Sequence, residues 1–527
     1  MAFIQAGFFI LAVLFCANRF FHILQLEGYR IGNYYKWLNN NLKAYLPTLA
    51  LLCVVSSAAL VAAPHFFGAD EVLLLDVAIL LITLVTYVIA AVVYSRAMRK
   101  PLDYTHRVIR LFITLLAVSG LFAFGVCVVF PTVVFMHTLS VLLTPFFVIL
   151  ACLVAQPFEK MIAHGYFKKA QKKLLGMENT IKVGITGSFG KTSTKFILGT
   201  ILAEKYKTYI TPHSYNTPMG VSKVINNELT KDYEVFVSEM GARHIGDIAE
   251  MCELVHPTYG LITSIGPQHL ETFKTIENIA KTKNELMTSL PAHGWAFYPD
   301  DDSICTDLYN KSGNNKKLFS VTNPQADVYA KDIQLGNAGC EFILCIKDVG
   351  EIACKTQLLG EYNIQNILGA CAVALQLGLT PQEIASGVAK IAPVEHRMQI
   401  LPTNNGITVI DDSYNSNPVG CKMAMEILSR FPGRHIVVTP GLVELGEAEY
   451  EENRAFGRAI AKAVSIAILV GEKRSKPIIR GLLDEHFNEE NILVVQSLAE
   501  ASERLAEISQ IGDVVLFEND LPDNYIE

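Results

Sequence analysis

The stretch Val183-Gly184-Ile185-Thr186-Gly187-Ser188-Phe189-Gly190-Lys191-Thr192-Ser193 limits the folds open to this chain more than any other. An apolar segment, Ile181 to Ile185, enters a turn holding two glycines, then Lys-Thr, then an amphipathic run from about Ser193 to Glu204. That order predicts a buried strand, a tight loop and a helix. Glycines at 187 and 190 let backbone N–H groups close on phosphate oxygens with no Cβ in the way. The helix N-terminus adds aligned donors, and Lys191 supplies a point charge for terminal phosphates. Thr192 offers the hydroxyl that such loops use on Mg2+. Gly187, Ser188, Gly190, Lys191, Thr192 and Ser193 are therefore the candidate phosphate site. The spacing departs from the common G-x-x-x-x-G-K-[ST], because Ile185 stands where the first glycine belongs. The competing reading is a glycine turn before a helix that carries a surface lysine.

Beyond the loop, Val235–Ser238, Tyr259–Thr263 and Gly294–Tyr298 read as strands alternating with helical stretches. Such alternation predicts a parallel sheet with crossover helices. The first of these strands runs into Glu239-Met240-Gly241-Ala242-Arg243-His244-Ile245-Gly246-Asp247-Ile248. A carboxylate just past a strand's C-terminal edge lies where open α/β sheets bind ligands. The next strand leads into Gly266-Pro267-Gln268-His269-Leu270-Glu271-Thr272-Phe273. His269 thus falls beyond a neighbouring strand and can share a metal with Glu239. Alone, each reads as a capping or core residue; as a pair beside a phosphate loop they read as metal ligands. From Glu395 onward a second α/β set follows, with strands at Ile407–Ile410, Ile436–Thr439, Ile466–Val470 and Val514–Phe517.

The first 157 residues are of another kind. The chain has 527 residues, 51% of them hydrophobic, and the excess lies in five apolar runs: Phe3–Ala17, Ala44–Phe67, Leu73–Tyr94, Leu111–Phe130 and Val133–Val154. The last four have the length a bilayer core of ~30 Å demands of a helix. The first is short enough for a signal peptide, but no basic residue precedes it and no small-residue cleavage site follows, so an uncleaved helix is expected. Arg19, Arg30, Lys36 and Lys43 fill the first long connection, and Arg96, Arg99, Lys100, Arg107 and Arg110 the third, whereas Gly68–Glu71 and Pro131–Thr132 carry no Lys or Arg. Five spans with the N-terminus outside and residue 157 inside satisfy the positive-inside rule. The strip after them, with Lys160, Lys168, Lys169, Lys172 and Lys173, fits contact with anionic lipid headgroups or plain attraction to the inner leaflet. A net charge of −7 gives no sign of a nucleic-acid partner. The 11 cysteines include no C-x-x-C pair, so neither a zinc site nor a disulfide framework is expected.

The form T-G-S-x-G-K-T-[ST] resembles the Mur ligases, ATP-dependent amide-forming enzymes of peptidoglycan synthesis. E-M-G-A-R-x-x-G-[DE]-I and H-L-E-x-F are similar to its MurF branch, which joins UDP-MurNAc-tripeptide to D-Ala-D-Ala. The resemblance implies a second Mg2+ site at Glu239 and His269, and a lysine carried as an N-carbamate at Lys283 in Thr282-Lys283-Asn284-Glu285-Leu286. Asn216, in Tyr215-Asn216-Thr217-Pro218-Met219-Gly220-Val221, matches the first asparagine of N-N-x-x-G-[VL]; Thr217 and Pro218 depart from it. Leu359-Gly360-Glu361-Tyr362-Asn363-Ile364-Gln365-Asn366 resembles L-G-x-H-N-x-x-N, whose last asparagine reads adenine, with helix capping as the alternative for Asn363 or Asn366. Asp411-Asp412-Ser413-Tyr414-Asn415-Ser416-Asn417-Pro418 is close to D-D-S-Y-N-A-N-P. There the resemblance implies that Arg397 reaches an ATP phosphate, Asp412 a ribose hydroxyl, and Asn415 and Asn417 the substrates.

Two departures stand out. A membrane module occupies the place of the family's small UDP-sugar domain, and Glu518-Asn519-Asp520-Leu521-Pro522 replaces the V-K-G-S ending. The expected architecture is a five-helix membrane module (1–157), a basic linker (158–177), a central P-loop ATPase domain of α/β type (178–392) and a C-terminal Rossmann-like α/β domain (393–527). The expected protein is a multi-pass enzyme of the bacterial cell membrane with cytoplasmic catalytic domains. It would use ATP, Mg2+ and carbamoylated Lys283 to join a UDP- or lipid-linked muramoyl peptide to a D-Ala-D-Ala-like amine, with Lys191, His269, Lys283 and Arg397 catalytic. The alternatives are a ligase of the poly-glutamate or folyl-polyglutamate kind, and a membrane P-loop transporter. Against the transporter, the best candidate for a Walker-B strand, Val235–Ser238, runs into Glu239 in place of an aspartate, and no transporter signature motif is found.

Overall fold

The computed structural model describes residues 2–41, scattered positions between 58 and 92, 101–129, 141–404, 406–414, 417–443 and 445–519. Met1–Ala163 belongs to one compact unit and His164–Asp520 to another.

In the first unit, helices Ala2–Leu26, 31–41 and His106–Val129 and the start of Thr144–Leu175 enclose a core of Phe9, Phe21, Leu24, Tyr34, Leu111, Leu115 and Val148. Phe21 meets Phe112 edge-on at 4.5 Å between ring centroids, a favourable aromatic geometry. Arg110 grips Glu159 through two hydrogen bonds of 2.6 and 2.8 Å. Three helices among the described residues hold stretches long and apolar enough to cross a membrane, Ala6–Leu26, His106–Val129 and Thr144–Leu175. The first run is thus longer than expected. Phe20, Phe21, Ile23 and Leu24 continue its buried face past Arg19, and the first breaker is Gly28. Of the five expected spans, Ala44–Phe67 and Leu73–Tyr94 fall almost wholly outside the described residues. So do 133–140 and the connections 42–43, 68–71, 96–100 and 131–132.

The basic strip is helical through Leu175. Ala170 and Leu174 are buried in the second unit against Val221, Ile225 and Ile248. Lys173 donates to the Ile225 carbonyl at 2.6 Å, at the C-terminal end of helix Pro218–Asn227. A cation there satisfies an orphan carbonyl and the negative end of the helix dipole. Lys168 pairs with Glu253 at 3.2 Å. Two lysines of the strip are therefore held by protein groups.

The second unit contains two sheets. The larger joins β1 (Ile181–Thr186), β2 (Thr208–Ile210), β3 (Val235–Glu239), β4 (Tyr259–Ile262), β5 (Trp295–Pro299), β6 (Asn315–Ser320), β7 (Val328–Gly336), β8 (Gly339–Ile346) and β9 (Gly350–Thr356). Its order is β2-β3-β1-β4-β5-β6-β7-β8-β9, parallel as far as β7 and antiparallel beyond. Strands β1, β3 and β4 are almost continuously buried because helices cover both faces.

The smaller sheet joins β10 (Gln399–Leu401), β11 (Thr408–Asp412), β12 (His435–Thr439), β13 (Ile466–Val470), β14 (Ile492–Val495) and β15 (Val514–Glu518). Its order is β10-β11-β15-β12-β13-β14, with only β10 antiparallel. Both sheets are thus mostly parallel, and ligands of such sheets gather at the carboxyl ends of the strands.

Candidate active site at the strand ends

Strand β1 ends at Thr186 and the chain turns sharply into helix Lys191–Leu202. Gly190 precedes the helix at φ 79°, and a Cβ there would lie 2.5 Å from Asn366 Oδ1. A Cβ on Gly187 would fall 2.0 Å from Thr263 Oγ1. Only glycine serves at either place. The loop is fastened to the segment after β4. Ser188 N–H donates to the Ser264 carbonyl at 2.8 Å, Phe189 N–H to Ser264 Oγ at 3.1 Å, and Ser188 Oγ–H to the Gly266 carbonyl at 2.9 Å. Lys191 folds back so that its ammonium donates to the Gly187 and Ser188 carbonyls at 2.7 and 2.9 Å. Burial draws that ammonium down to about 8; the Glu239 carboxylate opposes the shift and the Arg397 guanidinium adds to it. Thr194 Oγ–H donates to Asn366 Oδ1 at 3.1 Å, so Asn366, itself buried, braces the first turn of the helix.

Glu239 closes β3 with its side chain withdrawn from solvent. Asn216 Nδ2 donates to its Oε1 at 2.9 Å and Lys195 Nζ to its Oε2 at 3.2 Å. Lys195 also donates to the His213 carbonyl. Sequence reasoning missed Lys195. The available signal was a lysine on the apolar face of an amphipathic helix, among Thr194, Ile197 and Leu198. Burial lowers its pKa, while Glu239 works the other way.

Lys283 lies on the inward face of helix Ile276–Thr288, 2% exposed. Its ammonium is pushed well down, first by burial and then by the like charge of Lys191; Asp247 and Glu285 offset part of this. His269 precedes the short helix Leu270–Phe273 at φ 51°, and its carbonyl caps Thr272. Among the described residues no three His, Cys, Asp or Glu side chains group as a metal cage. The donor set around Glu239 is sparse, as for Mg2+ held by one or two carboxylates plus phosphates and waters.

Thr217 is the N-cap of helix Pro218–Asn227, accepting from Gly220 N–H, and Asn417 caps helix Pro418–Leu428 in the same way at 2.9 Å. Asn415 lies outside the described residues. Asp412 ends β11 in register with Glu518 on β15 and accepts from Met398 N–H at 3.1 Å. Its carboxyl is raised to about 6, chiefly by burial, with Arg397 opposing. The Arg397 guanidinium carbon sits 4.6 Å from the centroid of the Tyr414 ring. The charged groups thus come from two strand ends, Glu239 and Asp412, from the helix after the glycine loop, Lys191 and Lys195, from helix Ile276–Thr288, Lys283, and from the segment before β10, Arg397.

Residues 185–374 match the Mur ligase middle domain and residues 396–518 the Mur ligase, glutamate ligase domain. The chain is 31% identical over 317 residues to the UDP-N-acetylmuramoyl-tripeptide–D-alanyl-D-alanine ligase of Escherichia coli, covering 60% of this chain and 70% of that one. Among solved structures, MurF from Acinetobacter baumannii superposes with a TM-score of 0.63 at 25% identity, over 69% of this chain and 78% of that one. The MurF ligase of Thermotoga maritima, solved in complex with ADP, gives 0.61 at 27% identity, over 69% and 81%. With the glycine loop and two mostly parallel sheets already in place, these likenesses settle the lineage: the chain belongs to the Mur ligase family and is MurF-like.

Proposed function

We propose that the protein joins a D-Ala-D-Ala-like amine to the terminal carboxylate of a muramoyl peptide at a bacterial membrane, with the catalytic unit in the cytoplasm. The observation that carries this reading is the glycine loop closing on Lys191, with Glu239, Lys283 and Arg397 contributing charge around it. ATP would lie along the loop. Its γ-phosphoryl group passes to the peptide carboxylate, breaking the bond to ADP and forming an acyl phosphate. The amine then attacks the acyl carbon, a proton leaves the nitrogen, and inorganic phosphate departs as the amide forms.

In this scheme Lys191 and Arg397 neutralise charge on the phosphates, and the loop amides hold them in line. Asp412 takes a ribose hydroxyl, Asn366 lies toward the base, and Asn216, Thr217, Asn415 and Asn417 border the peptide and amine. Thr192, Glu239, His269 and carbamoylated Lys283 would hold Mg2+. The buried, charge-depleted Lys283 amine fits this, because CO2 adds to a neutral amine and yields an anion with two oxygen donors. When bound, the metal supplies charge neutralisation along the phosphates. Asn216 and Lys195 hold the Glu239 carboxylate at the end of β3.

Two further parts of the reading have support of their own. Three helices among the described residues are long and apolar enough to cross a membrane, which supports an anchor, and the apolar character of residues 1–157 supports a lipid-linked donor alongside the UDP-linked one. The deciding experiment supplies purified full-length enzyme with ATP, D-Ala-D-Ala and either UDP-linked or lipid-linked muramoyl tripeptide, and follows phosphate release with product mass. A product heavier by one dipeptide residue pair is expected. ATP turnover with no mass change would remove the ligase reading.

A further inference from the structure

The two sheets of the second unit meet through a contact that the phosphate chemistry does not require. Tyr414 follows β11 in the loop carrying Asp412, and its hydroxyl donates to Ser214 Oγ at 2.6 Å across 200 residues of sequence. The same ring supports the Arg397 guanidinium at 4.6 Å. On the other side, Ser214 sits in the tight turn Pro212–Tyr215, closed by the Tyr215 N–H to the Pro212 carbonyl at 3.1 Å. That turn is anchored at both ends near Glu239. The His213 carbonyl, at φ 44°, accepts from Lys195, and Asn216 donates to Glu239. One side chain thus touches Arg397, which the proposed function sets on phosphate, and the turn next to Asn216 and Thr217, which it sets beside the peptide and amine.

We propose that Tyr414 is a positioning residue that sets Arg397 and the 212–217 loop against each other, and through that loop seats the incoming amine. The proposal rests on the ligase reading and adds a specificity element to it. The tyrosine ring is 42% exposed, so its hydroxyl bond contributes little to folding of the sheet that bears it. A hydroxyl pair at 2.6 Å between partly exposed groups orients a loop at small energetic cost. The ring face carries Arg397 by cation–π attraction independently of the hydroxyl. Removing the hydroxyl therefore separates the two tasks: Tyr414→Phe frees the loop and leaves Arg397 seated, whereas Tyr414→Ala disturbs both.

The test uses full-length enzyme in detergent. Tyr414→Phe and Ser214→Ala should each raise KM for the amine about five- to tenfold, with kcat and the Kd of ADP within about twofold of wild type. The double variant should be no worse than either single one, because both remove the same bond. Tyr414→Ala should in addition lower kcat. Amide hydrogen exchange, which needs no turnover, should quicken across 212–217 in Tyr414→Phe and stay unchanged in β1. An unaltered amine KM in Tyr414→Phe, additive effects in the double variant, or unaltered exchange in the loop would each overturn the proposal. Absence of ligation in the wild type would instead refute the ligase reading, and the exchange result would still decide the role of Tyr414.

Discussion

Lys195 Nζ lies 3.2 Å from Glu239 Oε2, and both side chains are sealed from solvent, at 0% and 1% exposure. A buried pair of this kind adds little net stability over an apolar pair, but losing one partner strands a charge. Lys195→Met should therefore destabilise the second unit by about 3–5 kcal/mol. Adding Glu239→Gln to it should recover much of that loss, since no unpaired charge remains. Denaturant unfolding followed by tryptophan fluorescence reports both variants; a single variant as stable as wild type would show that the pair is not closed off from water.

Lys283 is the second case. If it works as a carbamate, Lys283→Arg abolishes ligation, because guanidinium stays charged and takes up no CO2. Lys283→Ala should retain under about 1% of activity and be partly restored by formate or acetate, which can occupy the vacated anion position; a loss of this order matches removal of a major electrostatic contribution. Arginine fills the space, so no rescue is expected there. Near-normal turnover in Lys283→Arg would end the carbamate assignment.

The pH profile follows from two shifted groups. The Lys191 ammonium, drawn down to about 8, loses its charge as pH rises through that value, so kcat/KM for ATP should fall on the alkaline side. The Asp412 carboxyl, raised to about 6, becomes protonated as pH falls through that value, so the ribose contact proposed for it should weaken on the acid side. A bell with limbs near these values is expected in the free-enzyme parameter kcat/KM. Asp412→Asn should lower the plateau and remove the acid limb. An acid limb that persists in Asp412→Asn would assign it to another group.

Topology is testable without catalysis. Lys and Arg crowd 19–43 and 96–110 and are missing from 68–71. A reporter fused after Gly68 should lie outside the cell and one after Lys100 inside. Cytoplasmic labelling of the Gly68 fusion would exclude the five-span arrangement.

The strand-loop-helix of Ile181–Leu202 and the Glu239 carboxylate were legible because each is encoded locally, by apolar runs that stop at glycines and a charge. The Mur ligase resemblance was legible for the same reason, in short contiguous motifs. Lys195 was not, because periodicity places a lysine on a helix face without saying that a carboxylate waits there from another strand. Tyr414 and Ser214 meet only through the packing of two sheets, which no local pattern records. The capping of Thr217 and Asn417 was legible too: each stands before a proline, and in the fold each caps the helix that the proline begins. The first apolar helix was read short because Arg19 looked like a boundary, whereas helices end at glycine more readily than at a long amphipathic side chain.

The placement of β15 has a bearing on how the protein is made. Of the six strands in the smaller sheet it is the last to be synthesised, yet it lies inside, between β11 and β12. Until it emerges, β10 and β11 on one side and β12, β13 and β14 on the other have no common neighbour, and Asp412 lacks the strand that holds its backbone. The nascent chain can thus assemble the larger sheet and its glycine loop while the half that brings Arg397 and Asp412 is still divided. An enzyme able to consume ATP in a coupled way exists only after translation has passed Glu518. Loss of the final strand to premature termination or to a protease would leave the larger sheet and its glycine loop beside a smaller sheet split between β11 and β12.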